Sequence, residues 1–420
     1  MATISDWSLV ELRRDLHRYP EVGWTEFRTT ALLAEELEEL GYDLSLGSDA
    51  LSPDDRLGVP GKEELDAALR RAREAGAPEA YLDRMEGISG LVAERRFGDG
   101  PVVGVRVDID ALPRSEADGD DHRPAREGFA SVHPNEMHAC GHDAHAAIGI
   151  GVARAVPETG FDGTLRLFVQ PAEEGGRGGY PMSRTDLLSD VDALLAVHVG
   201  LDRETGTVVA GYERPLSNAK LDVAFSGEPA HAGGAPQEGR NAMQALAAAV
   251  QGLYGIPRHA EGATRINVGM VESPNNQNVI PEDARMRVEV RGETAELNEY
   301  MLDHAERIVG AAAEMHDCEV ETSLYGKTTS FVADDAMVER VADAAGSVSG
   351  VETVTERSDF GGSEDASYLI RRVQEGGGEA TYVGIGASNV AGHHTAYFDV
   401  DEECIRIGVD VITETLRSFS

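Results

Sequence analysis

The chain has 420 residues, 41 % hydrophobic and 27 % charged, a globular composition long enough for two domains. With 75 acidic against 37 basic residues, the formal net charge is −38. That balance excludes nucleic acid as a partner, because affinity for phosphate backbones comes from cationic patches. No apolar run approaches the roughly 18 residues that cross a bilayer. Met1 to Asp15 carries no basic segment followed by an apolar one. Neither a membrane partner nor secretion is therefore expected, and a cytoplasmic location follows by default. The acids are dispersed over the whole chain, and Lys62, Lys220 and Lys327 are the only lysines. Dispersed acid with almost no lysine points to a halophilic protein, since in molar salt the Debye length is only about 3 Å and self-repulsion is screened. The three cysteines, Cys140, Cys318 and Cys404, are too few and too scattered for a disulfide framework.

Residues 8–41 carry leucines at helical spacing, with a break at Arg18-Tyr-Pro-Glu and a stop at Gly41. Residues 45–87 are polar and punctuated by Gly and Pro, with a helical piece near 62–75, and read as an insertion. Strands follow at Gly90-Leu-Val-Ala, Val102-Val-Gly-Val-Arg-Val and Thr164-Leu-Arg-Leu-Phe-Val, with a small-residue helix Ala144–Ala155 between the last two. Apolar strands alternating with helices predict an α/β sheet with helices on its faces. From 214 to 327 the pattern changes. A period-2 strand at Leu221-Asp-Val-Ala-Phe precedes a helix Asn241–Tyr254, strands near Arg265–Val271 and Ala284–Arg291, a helix Ala295–Met315 and a strand Glu319–Leu324. That order is β-α-β-β-α-β, a ferredoxin-like unit with one helix-covered face and one polar face. The α/β pattern then returns through Met337–Gly350, Ala380–Ile385 and a final helix Glu402–Leu416. The smaller α+β unit is thus inserted into the larger one.

The densest chemistry lies in Met137-His-Ala-Cys-Gly-His-Asp-Ala-His145, where a thiol and several imidazoles offer ligands for a borderline divalent metal. Gly141 lets the backbone turn so that Cys140 and His142 converge. Gln170-Pro-Ala-Glu-Glu-Gly175 places two adjacent carboxylates after an apolar strand, one suited to ligate metal and its neighbour to reach a water. His198 ends another apolar strand, a place where a lone histidine is commonly structural. His393 and His394 share a Gly-led loop. Taken together, Cys140, His142, Glu174, His198 and His394 make five candidate ligands. One ion needs three or four, so five suit two ions sharing a bridging group. Asp108 and Asp110 lie two residues apart on one face and are placed to orient a ligating histidine.

In order along the chain, Asp15-Leu-His-Arg-Tyr-Pro-Glu, Asp108-Ile-Asp-Ala-Leu-Pro, Met137-His-Ala-Cys-Gly-His-Asp, Gln170-Pro-Ala-Glu-Glu-Gly, Ala196-Val-His, Gly227-Glu-Pro-Ala-His-Ala-Gly, Asn278-Val-Ile-Pro and Gly362-Ser-Glu-Asp resemble the M20 metallopeptidase/amidohydrolase family. The likeness is to its hippurate and auxin-conjugate hydrolase subfamily. Glu26-Phe-Arg-Thr, the 45–87 stretch, Arg123-Pro-Ala-Arg-Glu-Gly-Phe-Ala-Ser131 and Gly392-His-His resemble the branch of aminobenzoyl-glutamate utilization A-type subunits. The wider subfamily usually has one histidine followed by a small residue and proline in that last position. Counting back from Phe398, His394 falls at the ligand position.

The resemblance implies a catalytic α/β domain, a mixed sheet flanked by helices, over 1–213 and 328–420. It also implies a ferredoxin-like lid and dimerisation domain over 214–327. It makes Glu173 the general base, Glu174 a ligand, Asp110 part of the catalytic group, and His231 a lid histidine that reaches across a dimer to polarise the scissile carbonyl. Asn278 and Arg291 match positions expected to bind the substrate carboxylate, for which a planar guanidinium fork is suited. The implied activity is hydrolysis of an N-acyl or N-aroyl amino acid with two divalent ions, manganese or zinc, in a homodimer or beside a related B-type partner chain. A general aminoacylase or carboxypeptidase is the neighbouring reading. A non-catalytic metal-containing scaffold that binds conjugates would be expected to lack Glu173, which is present.

Overall fold

The computed structural model describes residues 4–419. The opening leucine pattern resolves into two helices, α1 (Leu9–Arg18) and α2 (Phe27–Glu39). Ser8 caps α1 reciprocally: its hydroxyl accepts the Glu11 N–H at 3.2 Å, and the Glu11 carboxylate accepts the Ser8 N–H at 2.8 Å. For α2 the acceptor comes from outside the helix. The buried Glu21 carboxylate takes the N–H groups of Arg28 and Thr29 at 2.8 Å each, satisfying donors that a helix start leaves open.

The polar 45–87 stretch is tied to the main sheet. Strand β1 (Asp43–Leu46) overlaps its start, and α3 (Lys62–Glu74) and α4 (Glu79–Arg84) lead to β2 (Leu91–Arg96), with which β1 pairs antiparallel. Strand β3 (Val102–Asp108), the short α5 (Arg123–Glu127), α6 (His142–Ala155), β4 (Thr164–Gln170), the short α7 (Gly179–Ser183), β5 (Ala193–Val199) and β6 (Thr207–Glu213) follow.

The smaller unit contains β7 (Ser217–Ser226), α8 (Ala242–Tyr254), β8 (Thr264–Glu272), β9 (Asp283–Gly292), α9 (Ala295–Met315) and β10 (Glu319–Thr328). Its sheet runs β10-β7-β9-β8, antiparallel throughout. Along β9, Met286, Val288 and Val290 are buried and pack with α8 and α9 residues such as Leu246 and Met301, so one face is covered by helices as the alternation predicted. The chain then adds α10 (Asp335–Ser347), β11 (Thr353–Asp359), α11 (Ala366–Glu375), β12 (Glu379–Ile385) and α12 (Glu403–Arg417).

The large sheet has eight strands in the order β1-β2-β4-β3-β5-β12-β6-β11. Its centre, β4-β3-β5-β12, is parallel, and β2 and β6 run antiparallel to their inner neighbours. Strand β5 is buried along its whole length, as expected of a central parallel strand covered on both faces. The small residues of α6 allow close packing. A Cβ on Gly149 would lie 3.0 Å from Val107, and one on Gly151 only 2.3 Å from Val409. Strand β11 was not legible in advance: it is a polar edge strand with no buried residue, so it carries no apolar alternation.

Two compact units result. The first takes the chain up to Glu213, Phe331–Phe360 and everything from Asp365 onward; the second takes Arg214–Ser330 and Gly361–Glu364. Among the described residues no helix is long and apolar enough to cross a membrane.

Candidate metal centre

Strands β4, β3 and β5 are parallel neighbours, so their C-terminal ends lie side by side, and this is where open α/β sheets bind ligands. Asp108, Gln170 and His198 stand at those ends. Gly141, with φ +87°, turns the chain into α6 between them; a Cβ there would meet Val199 at 2.5 Å. This position requires glycine, and it delivers Cys140 and His142 to the strand ends.

Hydrogen bonds decide which ring nitrogen each histidine presents. His142 directs Nδ1 at the Asp110 carbonyl, 2.9 Å, and at Asp110 Oδ1, 3.1 Å. Its Nε2 is buried with no hydrogen-bond partner. Nδ1 of His198 donates to the Val199 carbonyl at 2.8 Å, leaving Nε2 3.6 Å from Cys140 Sγ. His145 differs: Nε2 accepts the Val199 N–H at 2.8 Å and Nδ1 meets the Asp108 carboxylate. Both of its nitrogens are used, so it braces β5 against β3. Burial keeps the Asp108 carboxyl from ionising easily, but Arg106, His142 and His145 outweigh this and hold it well below the usual carboxylate range. Sequence reasoning passed over Arg106. It is fully buried and donates to Gln170 Oε1 at 2.9 Å and Asp108 Oδ2 at 2.7 Å. Asp365 closes the same network, accepting from Gln170 Nε2 and the Gly179 N–H at 2.7 Å each. An arginine in the middle of an apolar strand was the available signal.

The Glu173-Glu174 turn is held by two buried carboxyl groups. Asp110 accepts the N–H of Glu173 at 3.1 Å through Oδ1 and that of Glu174 at 3.0 Å through Oδ2. Glu26, fully buried at the start of α2, accepts the Ala172 N–H at 2.7 Å and the Ser89 hydroxyl at 2.7 Å. Burial, with the Asp110 charge nearby, pushes Glu26 up to about 8. Ala172 sits at φ +50°, unusual for a residue with a Cβ, so this turn needs such outside support. The sequence marked Glu26 only as the start of Glu26-Phe-Arg-Thr, with no role attached to its carboxyl.

Donor atoms converge in overlapping groups, each within 4.8 Å: Cys140 with Glu174 and His394, His142 with Glu173 and Glu174, and Cys140 with His198 and His393. The structure thus brings together Cys140, His142, Glu174, His198 and His394, with Glu173 beside them. His394 Nε2 lies 3.2 Å from Glu174 Oε1. Hydrogen bonds to Cys140 and Glu174 push its imidazole up to about 10. The same negative field favours a divalent cation. The Cys140 thiol, the imidazoles of His142, His198 and His394 and the Glu174 carboxylate form the mixed S, N and O donor set that zinc and similar ions take.

The remaining candidates belong to the second unit. His231 is exposed, and its Nδ1 accepts the N–H groups of Gly233 and Gly234 at 3.1 and 2.9 Å. The Ala232 N–H donates to the Asn278 carbonyl at 2.9 Å, so the His231 and Asn278 loops are neighbours. Arg291, on β9, is paired through two nitrogens with both carboxylate oxygens of Glu289 at 3.0 Å.

Parallel strand ends carrying imidazole, thiol and paired carboxylates are the arrangement of a metallohydrolase. Residues 104–418 match the model of peptidase family M20/M25/M40, and the chain belongs to that family of amide-bond hydrolases. An indole-3-acetyl-aspartic acid hydrolase from Enterobacter agglomerans is 43 % identical over 98 % of this chain and 95 % of its own. The A-type chain of the p-aminobenzoyl-glutamate hydrolase from Escherichia coli is 42 % identical, over 97 % and 94 %. Among solved structures, an aminobenzoyl-glutamate utilization protein from Klebsiella pneumoniae superposes with a TM-score of 0.85 at 36 % identity, covering 98 % of this chain and 95 % of that one.

Proposed function

We propose that the protein is a dinuclear metal-dependent amidohydrolase that cleaves N-acyl or N-aroyl amino acids, with p-aminobenzoyl-glutamate-like conjugates as substrates. The observation that carries this reading is the overlap of donor groups at Cys140 and Glu174 with Glu173 alongside. Relatives above 40 % identity named for hydrolysis of indole-3-acetyl-aspartic acid and p-aminobenzoyl-glutamate support the substrate class.

Cys140, His142, Glu174, His198 and His394 would hold the ions, with manganese and zinc as candidates and the thiolate favouring zinc. Bound there, two divalent ions would supply Lewis-acid polarisation and activation of water. Glu173 takes the proton of the attacking water and passes it to the leaving amine. Asp110 fixes both His142 and the amides that carry Glu173 and Glu174. His231 of a neighbouring copy polarises the scissile carbonyl, and Asn278 and Arg291 receive the free carboxylate; these roles rest on the family resemblance. The assembly is accordingly a homodimer or a complex with a related B-type partner chain, and the net charge of −38 suits work in a salt-rich cytoplasm.

The test is a panel of N-acyl amino acids, including p-aminobenzoyl-glutamate, assayed in molar salt with metal-free protein reloaded with manganese or zinc. Metal-restored hydrolysis of aroyl conjugates is expected. Two loaded ions without turnover of any conjugate would overturn the reading.

A further inference from the structure

On the open face of the smaller unit's sheet, the side chains of β9 stand in rows with their register partners on β7 and β8. Three rows set opposite charges together. Arg287 faces Asp222 and meets it through two nitrogens at 2.6 and 2.9 Å, Arg285 stands opposite Glu272, and Glu289 stands opposite Lys220. The row of Arg291 does not. Its partner on β8 is Arg265, and its partner on β7 is Asn218. Thr264 and Ile266 are buried and Arg265 between them is exposed, so its side chain shares the open face with Arg291.

Residues directly opposite in an antiparallel pair have Cβ atoms about 4.5–5.5 Å apart, and like charges there destabilise the sheet. With 75 acidic residues in the chain, an acid opposite Arg291 would be the simple arrangement. The two guanidiniums differ in what holds them. Arg291 is engaged by both oxygens of Glu289. Arg265 makes one hydrogen bond, from Nη1 to the Thr264 carbonyl at 2.9 Å, and pairs with no carboxylate among the described residues. Most of its five donors stay open. Glu293, just past β9, accepts the Ala263 N–H at 2.8 Å instead. At the other end of the row Asn218 is only 2 % exposed, and its side-chain oxygen has no hydrogen-bond partner. Two facing cations beside an unsatisfied buried amide are balanced by anionic groups brought from outside the sheet.

A p-aminobenzoyl-glutamate-like conjugate keeps two free carboxylates, one on the α-carbon and one on the side chain, and Arg291 takes only one. We propose that Arg265 binds the side-chain carboxylate beside the α-carboxylate on Arg291, selecting N-acyl derivatives of glutamate or aspartate over those of neutral amino acids. This rests on the amidohydrolase reading above, with Arg291 as the receiver of the α-carboxylate. Each guanidinium fork then engages a carboxylate bidentately, and the bound substrate removes the repulsion across the row.

The experiment compares p-aminobenzoyl-glutamate with p-aminobenzoyl-glutamine, which differ in side-chain charge and little in shape. Metal-loaded parent, Arg265→Gln, Arg265→Lys and Arg265→Glu are assayed on both in molar salt, and their assembly is followed by sedimentation. The parent is expected to prefer the glutamate conjugate about 10–100-fold in kcat/KM, the size of one charged hydrogen bond, chiefly through KM. Arg265→Gln should bring that ratio close to one. Arg265→Lys should restore part of it, since a point charge replaces the fork, and Arg265→Glu should favour the glutamine conjugate. A merely structural role would lower both rates together and leave the ratio at its parental value, which would overturn the proposal. So would a dissociated Arg265→Gln protein with an unchanged ratio, which would assign Arg265 to a contact between subunits. Equal cleavage of both conjugates by the parent would overturn the proposal while leaving the amidohydrolase reading intact. Failure of the loaded parent to cleave any conjugate would overturn that reading, and the proposal with it.

Discussion

The Glu26 carboxyl accepts the backbone N–H of Ala172, 146 residues away in the chain, at 2.7 Å. Together with Asp110 it pins three consecutive amides, those of Ala172, Glu173 and Glu174. Glu26→Ala would leave the Ala172 N–H buried without an acceptor, costing about 1–3 kcal/mol of stability. It would also loosen the turn, lowering kcat about 10–100-fold. Glu26→Gln keeps an acceptor for Ala172 and should stay near the parent, since burial already favours the neutral form of Glu26. Denaturant melts and steady-state kinetics on both variants check this. Parental kcat in Glu26→Ala would refute the positioning role.

Glu173→Ala should lower kcat about 10²–10⁴-fold, the usual cost of losing a proton-transfer group, while both ions remain bound. Its donor lies close to His142 and Glu174, so kinetics must be read beside metal analysis. An ion lost with the side chain would reassign Glu173 as a ligand.

Stability should fall as the pH rises from neutrality. His17 is fully buried, and burial and the Arg13 guanidinium both oppose its charge. Hydrogen bonds to Asp143 and Glu116, each 2.8 Å, win and raise it to about 9. A histidine raised on folding stabilises fully below its unfolded value near 6.5 and loses that contribution as the pH passes through about 9. Melting temperatures measured from pH 6.5 to 9.5 should therefore decline more steeply for the parent than for His17→Gln. Parallel curves would contradict the assignment.

Arg291 is not idle before substrate arrives. Glu289 already occupies its guanidinium through both oxygens, and a substrate carboxylate must displace that partner. Charged hydrogen bonds contribute roughly 1.5–3 kcal/mol each, so Arg291→Ala should lower kcat/KM about 10²-fold for an N-acyl amino acid. The corresponding methyl ester should change little. Glu289→Gln should lower KM for the acid by freeing the fork. Equal cleavage of acid and ester by the parent would remove Arg291 from substrate binding.

Salt should stabilise the fold. At a net charge of −38, self-repulsion is weakly screened when the Debye length is about 10 Å in 0.1 M salt and strongly screened when it is about 3 Å in molar salt. The melting temperature should rise across that range of potassium chloride. A flat response would refute salt adaptation.

Local features were legible without coordinates because their cause is local. The alternation of Met286, Val288 and Val290 places them on one face of β9 by strand geometry alone. Gly141 between Cys140 and His142 announces a turn, and helix α9 begins and ends where its pattern does, at Ala295 and Met315. The tertiary structure decided matters that depend on strand order and on contacts across long stretches of chain. It spent both nitrogens of His145 on Asp108 and Val199, so that a histidine that the sequence places beside His142 braces two strands. It brought Glu26 under a turn 146 residues distant. It also set His393 and His394 in different donor groups, because a left-handed kink, which residue types alone do not announce, turns their side chains apart. Propensity and periodicity act over a few residues, whereas these partners meet only after β3, β4 and β5 have aligned their C-terminal ends.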